Sequence, residues 1–320
     1  MEFNQQNEGS QIVPPDYIRN KRRKYSEEEL VSYTEREPGS RNFRDKEILI
    51  HLDSFCIGDT ICFSSFLRPF FEYYRPKKIL VTTFFKNLFD DIGEDIVFIA
   101  ADSYARVYVD TQITVGYNKE DYMHTINGLF YAAKNTFLLP QETLPDRPPV
   151  KYKERLVEKN KVTIAPESLK VIARWDVPNG WQDVVDYLRE ENIDVYNVSY
   201  EKIINLNEVI NYNGFDDIKV AIDHIVSSRI FIGLSSGLAW LAWAYGVPVV
   251  MVAGFTKEQN EFDCYRVNSK IGCSGCFNVF MRIKNSCPIF HGTPRENECH
   301  RLITSQMVIA KVKEALKDTE

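Results

Sequence analysis

The sequence has no long uninterrupted apolar run. Its apolar stretches are broken by Gly, Ser or charge, so no bilayer-spanning helix is predicted. The opening MEFNQQNEGSQIVPPD lacks a basic segment followed by an apolar core, so no secretory leader is predicted and a cytoplasmic chain is expected. Positive charge is not in excess: 39 Lys and Arg stand against 45 Asp and Glu, for a net charge of -6. That balance argues against nonspecific nucleic-acid binding. No internal repeat of solenoid period is found. What is present is a globular composition, 44% apolar, 26% charged and 13% aromatic, with a mean hydropathy of -0.30. A length of 320 residues suits about two domains. The 7 cysteines are an odd count, and four of them crowd into residues 273–299. In a reducing compartment this favours a metal site over disulfides.

Residues 1–45 are polar and include the basic run Lys21-Arg22-Arg23-Lys24, followed by Ser26 and Glu29 at capping-box spacing. A flexible or docking arm, with a short helix starting near Ser26, is expected there. From Lys46 onward, strands and helices alternate. EILIHLD (47–53), KKILVTT (77–83), IVFIAA (96–101) and ARVYVD (105–110) read as strands; 59–74 and 85–92 read as helices. Residues 140–154 carry four prolines and many charges and read as a linker. The alternation then restarts, with strands at 162–166, 194–199, 229–233 and 247–254 and helices at 180–192, 218–228 and 238–246. This predicts an α/β fold of two Rossmann-like domains facing a cleft, at 46–150 and 151–265. A small four-cysteine metal-finger insertion (266–302) and a C-terminal helix (303–320) complete the expected organisation.

Two strand-end loops are candidates for holding a phosphate. Ser235, Ser236 and Gly237 open a helix, where free N–H groups and the positive dipole end favour an anion. The two hydroxyls add donors, and Gly237 would let a ligand approach the backbone. An ordinary serine N-cap explains the same residues equally well. The second loop runs from Ala165 to Trp175 and offers Ser168, Lys170 and Arg174; the two cations could neutralise a diphosphate, or simply belong to a solvated loop. Trp240 and Trp243 lie three apart on the following helix and read as core packing. Asp59 follows Gly58 at the start of the first helix, as a general base or as a helix cap. His51 and Asp53 are nearby alternatives.

Cys273-Ser274-Gly275-Cys276 is a CxxC, joined by Cys287 and Cys299. Four thiolates suit a closed tetrahedral site for zinc or iron, with no position open for substrate. A redox disulfide is the rival reading, but no thioredoxin-like strand pattern precedes the CxxC. Cys56, Cys62 and Cys264 read as ordinary thiols. His291 and His300 are substitute ligands, with exposed positions expected for both.

These segments together resemble the bacterial autotransporter heptosyltransferases. The likeness rests on Gly58-Asp59-Thr60-Ile61, on Ala165-Pro166-Glu167-Ser168 with Gly180-Trp181, and on the run from Ile232 to Ala244. It continues through Pro248-Val249-Val250, Gly254-Phe255-Thr256, Asn260-Glu261-Phe262, Tyr265-Arg266-Val267 and the spaced cysteines, and it covers roughly residues 46 to 315. The resemblance implies a GT-B glycosyltransferase that moves heptose from ADP-heptose to serine hydroxyls of autotransporter adhesins and assembles into large homo-oligomers. It implies Asp59 as catalytic base and Ser235, Ser236 and Gly237 along the donor diphosphate. It also implies a structural iron on Cys273, Cys276, Cys287 and Cys299, with zinc as the alternative and no catalytic metal. Where family members commonly carry a donor-binding lysine, two residues before Trp175, this chain has Ala173. Lys170 and Arg174 are the cations that could replace it.

Overall fold

The computed structural model describes residues 39, 41–101, 108–116, 128–151, 155–168, 170–201, 204–278 and 287–320. The expected arm with its helix start near Ser26 lies outside the described residues apart from 39 and 41–45, as do the first three residues of ARVYVD and part of the cysteine finger.

The first sheet holds β1 (Glu47–Asp53), β2 (Lys78–Thr83), β3 (Ile96–Ala100) and β4 (Thr111–Gly116), in the order β3-β2-β1-β4 and parallel throughout. Central β1 is a continuous apolar run because both of its faces are covered, and Ile48 and Ile50 are wholly buried. The last strand lies just after the expected segment. Tyr108 is 97% exposed, whereas Ile113 and Val115 alternate inward, so TQITVG is the strand.

The single helix expected over 59–74 is two, α1 (Ile57–Ser64) and α2 (Leu67–Tyr74). Pro69 has no N–H to give to the Ser65 carbonyl one turn back, and the Asp146 N–H takes that carbonyl instead, at 2.8 Å. The helix expected over 85–92 shrinks to one 3-10 turn, Lys86–Leu88. Phe89 leaves it in extended backbone to stack on Phe98 at 4.9 Å, and it is wholly buried there. Helix α3 (Leu129–Thr136) closes this unit.

The second sheet is six-stranded and parallel: β5 (Glu158–Ala165), β6 (Asp194–Asn197), β7 (Ile210–Asn211), β8 (Ser228–Leu234), β9 (Val249–Val252) and β10 (Tyr265–Val267). Its helices are α4 (Gly180–Glu190), α5 (Ile218–Ser227), α6 (Gly237–Ala244), α7 (Glu298–Arg301) and α8 (Ser305–Lys317). The order β10-β9-β8-β5-β6-β7 is doubly wound and reverses direction between β5 and β8. In such sheets the crevice at the carboxyl ends of the two strands flanking the reversal is where ligands bind. The first sheet has the same reversal between β1 and β4.

One face of the second sheet packs Val162, Ile164, Ile230 and Ile232 against α4, α8, Trp175 and Trp181. The other face carries Phe231 and Met251 into a core that continues through α6 into the first unit. At that seam Trp240 and Trp243 pack as core residues, against Phe130 from the first unit and Phe262 from the second. Arg155, at the end of the linker, clips onto the second unit. It donates to the carbonyls of Gly246, Ser228 and Arg229 at 3.1, 2.8 and 3.1 Å.

Candidate active site at the seam of the two sheets

Helix α1 leaves the carboxyl end of β1 and α6 leaves that of β8, and the two starts meet. A Cβ built on Gly58 would lie 2.8 Å from Cδ1 of Trp240, and one on Gly237 would lie 3.2 Å from Cβ of Ile57. The space beside Gly237 is therefore filled by the neighbouring helix rather than left for a ligand, which replaces the reason read from sequence for that glycine. A side chain at Gly58 would run into the Trp240 ring, and one at Gly237 would press on Ile57.

Asp59 is buried in the first turn of α1. Ser54 Oγ donates to its Oδ2 at 3.1 Å. The residue Cys56 is exposed, but its thiol also hydrogen-bonds Asp59, and desolvation together with the Asp59 charge pushes it up to about 12. Lys170, from the loop after β5, acts electrostatically on the same cysteine. That coupling brings a cation of the second unit towards the Asp59 end of α1. His51, one of the alternatives to Asp59, instead bonds Thr82 Oγ1 through Nδ1 at 2.7 Å, and burial lowers its pKa. Asp53 stands 3.9 Å from the same ring.

The loop after β8 is built tightly. Ser236 is the N-cap of α6 in extended backbone, but its side chain caps nothing, and Oγ is buried without a hydrogen-bond partner among the described residues. Ser235 Oγ instead donates to Glu261 Oε1 at 2.6 Å. In the loop after β5, Ser168 Oγ accepts from Lys170 N at 3.2 Å, and Arg174 Nε donates to the Ser168 carbonyl at 2.9 Å. Arg174 thus braces its own loop. Lys170 Nζ lies 4.8 Å over the Phe277 ring, within cation–π range. Ala173 is 1% exposed and faces Ile172, Phe255, Cys276 and Cys299.

The cysteines gather behind that loop. Cys276 and Cys299 share one small apolar cluster with Cys273 packed against it, and Cys287 acts electrostatically on the other three. All four are free thiols. Burial raises Cys273, pushes Cys276 up to about 11 and Cys299 up to about 12. Four sulfurs in free thiols, with no disulfide among them, form a soft donor set whose thiolates a bound cation would stabilise. Among the described residues no group of three or more potential ligands stands in metal-holding geometry. The donor chemistry fits a metal, and the arrangement shown is not its coordination shell. His291 is exposed, as read from sequence, and pairs with Glu296 at 2.7 Å. His300 is not exposed. It is 1% exposed, accepts from Gly254 N at Nε2 (3.1 Å), and is held near 4 by burial.

Sequence reasoning assigned no role to Ser54, Phe277, Glu261 or Arg266, and it placed His300 at the surface. Glu261 and Arg266 stood within the resembling segments, which was the available signal. Their function depends on contacts that only the folded chain makes.

Two doubly wound units meeting at the carboxyl ends of their sheets, with a carboxylate on one side and a helix N-terminus on the other, have the GT-B architecture. No protein-family model matches the chain. Over 290 residues it is 29% identical to the autotransporter heptosyltransferase Aah of Escherichia coli, covering 84% of this chain and 74% of Aah. It is also 31% identical over 163 residues to BimC of Burkholderia thailandensis, described as an inactive autotransporter heptosyltransferase; that match spans 46% of this chain and 38% of BimC. The fold matches the iron-containing dodecameric glycosyltransferase TibC of enterotoxigenic E. coli with a TM-score of 0.75 at 22% identity, covering 88% of this chain and 78% of TibC. The chain is similar to the bacterial autotransporter heptosyltransferases.

Proposed function

We propose that this chain transfers heptose from ADP-heptose to serine hydroxyls on the repeats of an autotransporter adhesin, with Asp59 as general base. The observation that carries the reading is the meeting of α1 and α6, which sets Asp59 of one unit beside the helix start of the other. The name of Aah supports heptose, and a structure of TibC in complex with ADP-D-beta-D-heptose supports the ADP-sugar donor.

In this reading Asp59 takes the proton of the acceptor serine. The serine oxygen attacks the anomeric carbon, and the bond from that carbon to the diphosphate breaks. ADP leaves with the electron pair. The free N–H groups at the start of α6, the Ser236 hydroxyl and Lys170 stabilise the charge that develops on the diphosphate. Ser168, Ser235, Gly237 and Arg174 shape the donor site, and Arg174 acts through the loop it braces. Ser54 and Cys56 orient the Asp59 carboxylate.

Cys273, Cys276, Cys287 and Cys299 would hold a structural iron, or zinc, in the segment 266–302. Such a metal would cross-link the finger and back the donor loop at Ala173; it carries no step of the transfer. The domain limits 46–150 and 151–265, a homo-oligomeric assembly and a cytoplasmic setting belong to the same proposal. Among the described residues no helix is long and apolar enough to cross a membrane.

The test is mass spectrometry of an autotransporter repeat fragment incubated with the protein and ADP-heptose. A gain of one heptosyl unit on serine is expected, and Asp59→Asn should slow it by roughly 10²–10⁴-fold, the usual worth of a general base. No gain with wild-type chain, beside a working relative, would reject the reading. It would favour the noncatalytic scaffold to which the buried Ala173 points.

A further inference from the structure

The two serine hydroxyls at the start of α6 differ in polarity. A serine hydroxyl has one hydrogen to give. Ser235 gives its hydrogen to Glu261 Oε1 at 2.6 Å. The same oxygen accepts from Asn260 Nδ2 at 3.2 Å, and Oε2 accepts from Arg266 Nη1 at 2.5 Å. Arg266 is anchored in turn, through Nη2, to the carbonyls of Ala253 and Thr256 and to Thr256 Oγ1. The Arg266 and Glu261 side chains are 6% and 0% exposed. A carboxylate in an ion pair only accepts and a guanidinium only donates, so no movement of protons within this cluster can reverse the Ser235–Glu261 bond. Ser235 Oγ is left with lone pairs to offer the cleft. A phosphate oxygen also offers lone pairs and is a poor partner; a ligand hydroxyl is a good one. Ser236 Oγ, with no partner among the described residues, keeps its hydrogen for a phosphate.

We propose that Glu261 is a positioning residue that fixes Ser235 as a hydrogen-bond acceptor, so that Ser235 reads a hydroxyl of the nucleotide-sugar while Ser236 and the backbone N–H groups take the diphosphate. The inference rests on the nucleotide-sugar reading above and refines it, replacing the assignment of Ser235 to the diphosphate. The hydroxyl belongs to the ribose or to the transferred sugar, and the experiment separates these.

The test is isothermal titration of the full chain with pyrophosphate, ADP and ADP-heptose. Pyrophosphate carries no alcohol hydroxyl. Ser235→Ala is expected to leave pyrophosphate affinity unchanged and to weaken ADP-heptose by roughly three- to tenfold, the worth of one hydrogen bond. If the loss is already present with ADP, the hydroxyl is on the ribose; if it appears only with ADP-heptose, it is on the sugar. Ser236→Ala should weaken all three ligands. Glu261→Gln should follow Ser235→Ala, because Arg266 draws the amide oxygen to itself and turns the amide nitrogen towards Ser235. Circular dichroism checks the fold of Glu261→Gln, and Ser235→Ala carries the test if that variant does not fold. Loss of pyrophosphate binding in Ser235→Ala equal to the loss of ADP-heptose binding would overturn the inference, as would unchanged binding of all three. A wild-type chain that binds neither ADP nor ADP-heptose would instead reject the function on which the inference rests, and the inference with it.

Discussion

Replacing Gly58 by alanine sets two effects of opposite sign against each other. Gly58 lies inside α1 in ordinary helical backbone. Taken alone, the helix would gain about 1 kcal/mol from the substitution. The added methyl, however, would sit 2.8 Å from Cδ1 and 3.3 Å from Cγ and Nε1 of Trp240. That ring cannot step aside: it is 3% exposed and meets Phe130, Trp243 and Phe262 at centroid distances of 5.6, 5.7 and 5.0 Å. Overpacking of this kind costs about 1–3 kcal/mol, and a contact under about 3 Å belongs in the upper part of that range. The expected net effect is a loss of about 1–2 kcal/mol, read as a lower urea midpoint at constant slope. Activity should fall further than stability does, because the shift moves the adjacent Asp59; displacements of about 1 Å can cost about 10²-fold. Trp240→Phe in the same chain should recover part of both, with a coupling of at least ~0.5 kcal/mol. A Gly58→Ala chain that is stabilised by the helix term, or that adds independently to Trp240→Phe, would refute the tight seam.

Arg155→Met leaves the carbonyls of Gly246, Ser228 and Arg229 without their donor, and should cost about 1–3 kcal/mol in urea unfolding. For His51, burial places the folded-state pKa below the usual 6.5. Its stabilising contribution is therefore complete above that value and lost as pH falls through it, and His51→Gln should flatten the decline of the thermal midpoint below about pH 6.5. Cys276→Ser should lower the bound metal measured by elemental mass spectrometry, together with the thermal midpoint. A wild-type chain that carries no metal, and melts alike with and without chelator, would remove the metal site.

The cysteine segment shows where local pattern suffices and where it does not. The spacing of Cys273, Cys276, Cys287 and Cys299 is a local property, and so is the soft-ligand chemistry drawn from it. That Ala173 packs against Cys276 and Cys299, and that His300 is buried against Gly254, required the fold to bring distant segments together. The break at Pro69 follows from a missing N–H and was open to local reasoning. The truncated helix near Phe89 was not, because the pull on that ring comes from Phe98 across the sheet.

The alternation of apolar strands with amphipathic helices was enough to determine two parallel α/β units, since hydrophobic periodicity is written residue by residue. The Gly-Asp and Ser-Ser-Gly segments were likewise legible, because helix N-termini are built from neighbours in the chain. Only the tertiary structure decided what those segments face. It filled the space beside Gly237 with Ile57, left the Ser236 hydroxyl buried without a partner among the described residues, and committed the Ser235 hydrogen to Glu261. Hydrogen-bond polarity at a site depends on partners far apart in sequence, and no local pattern carries that information.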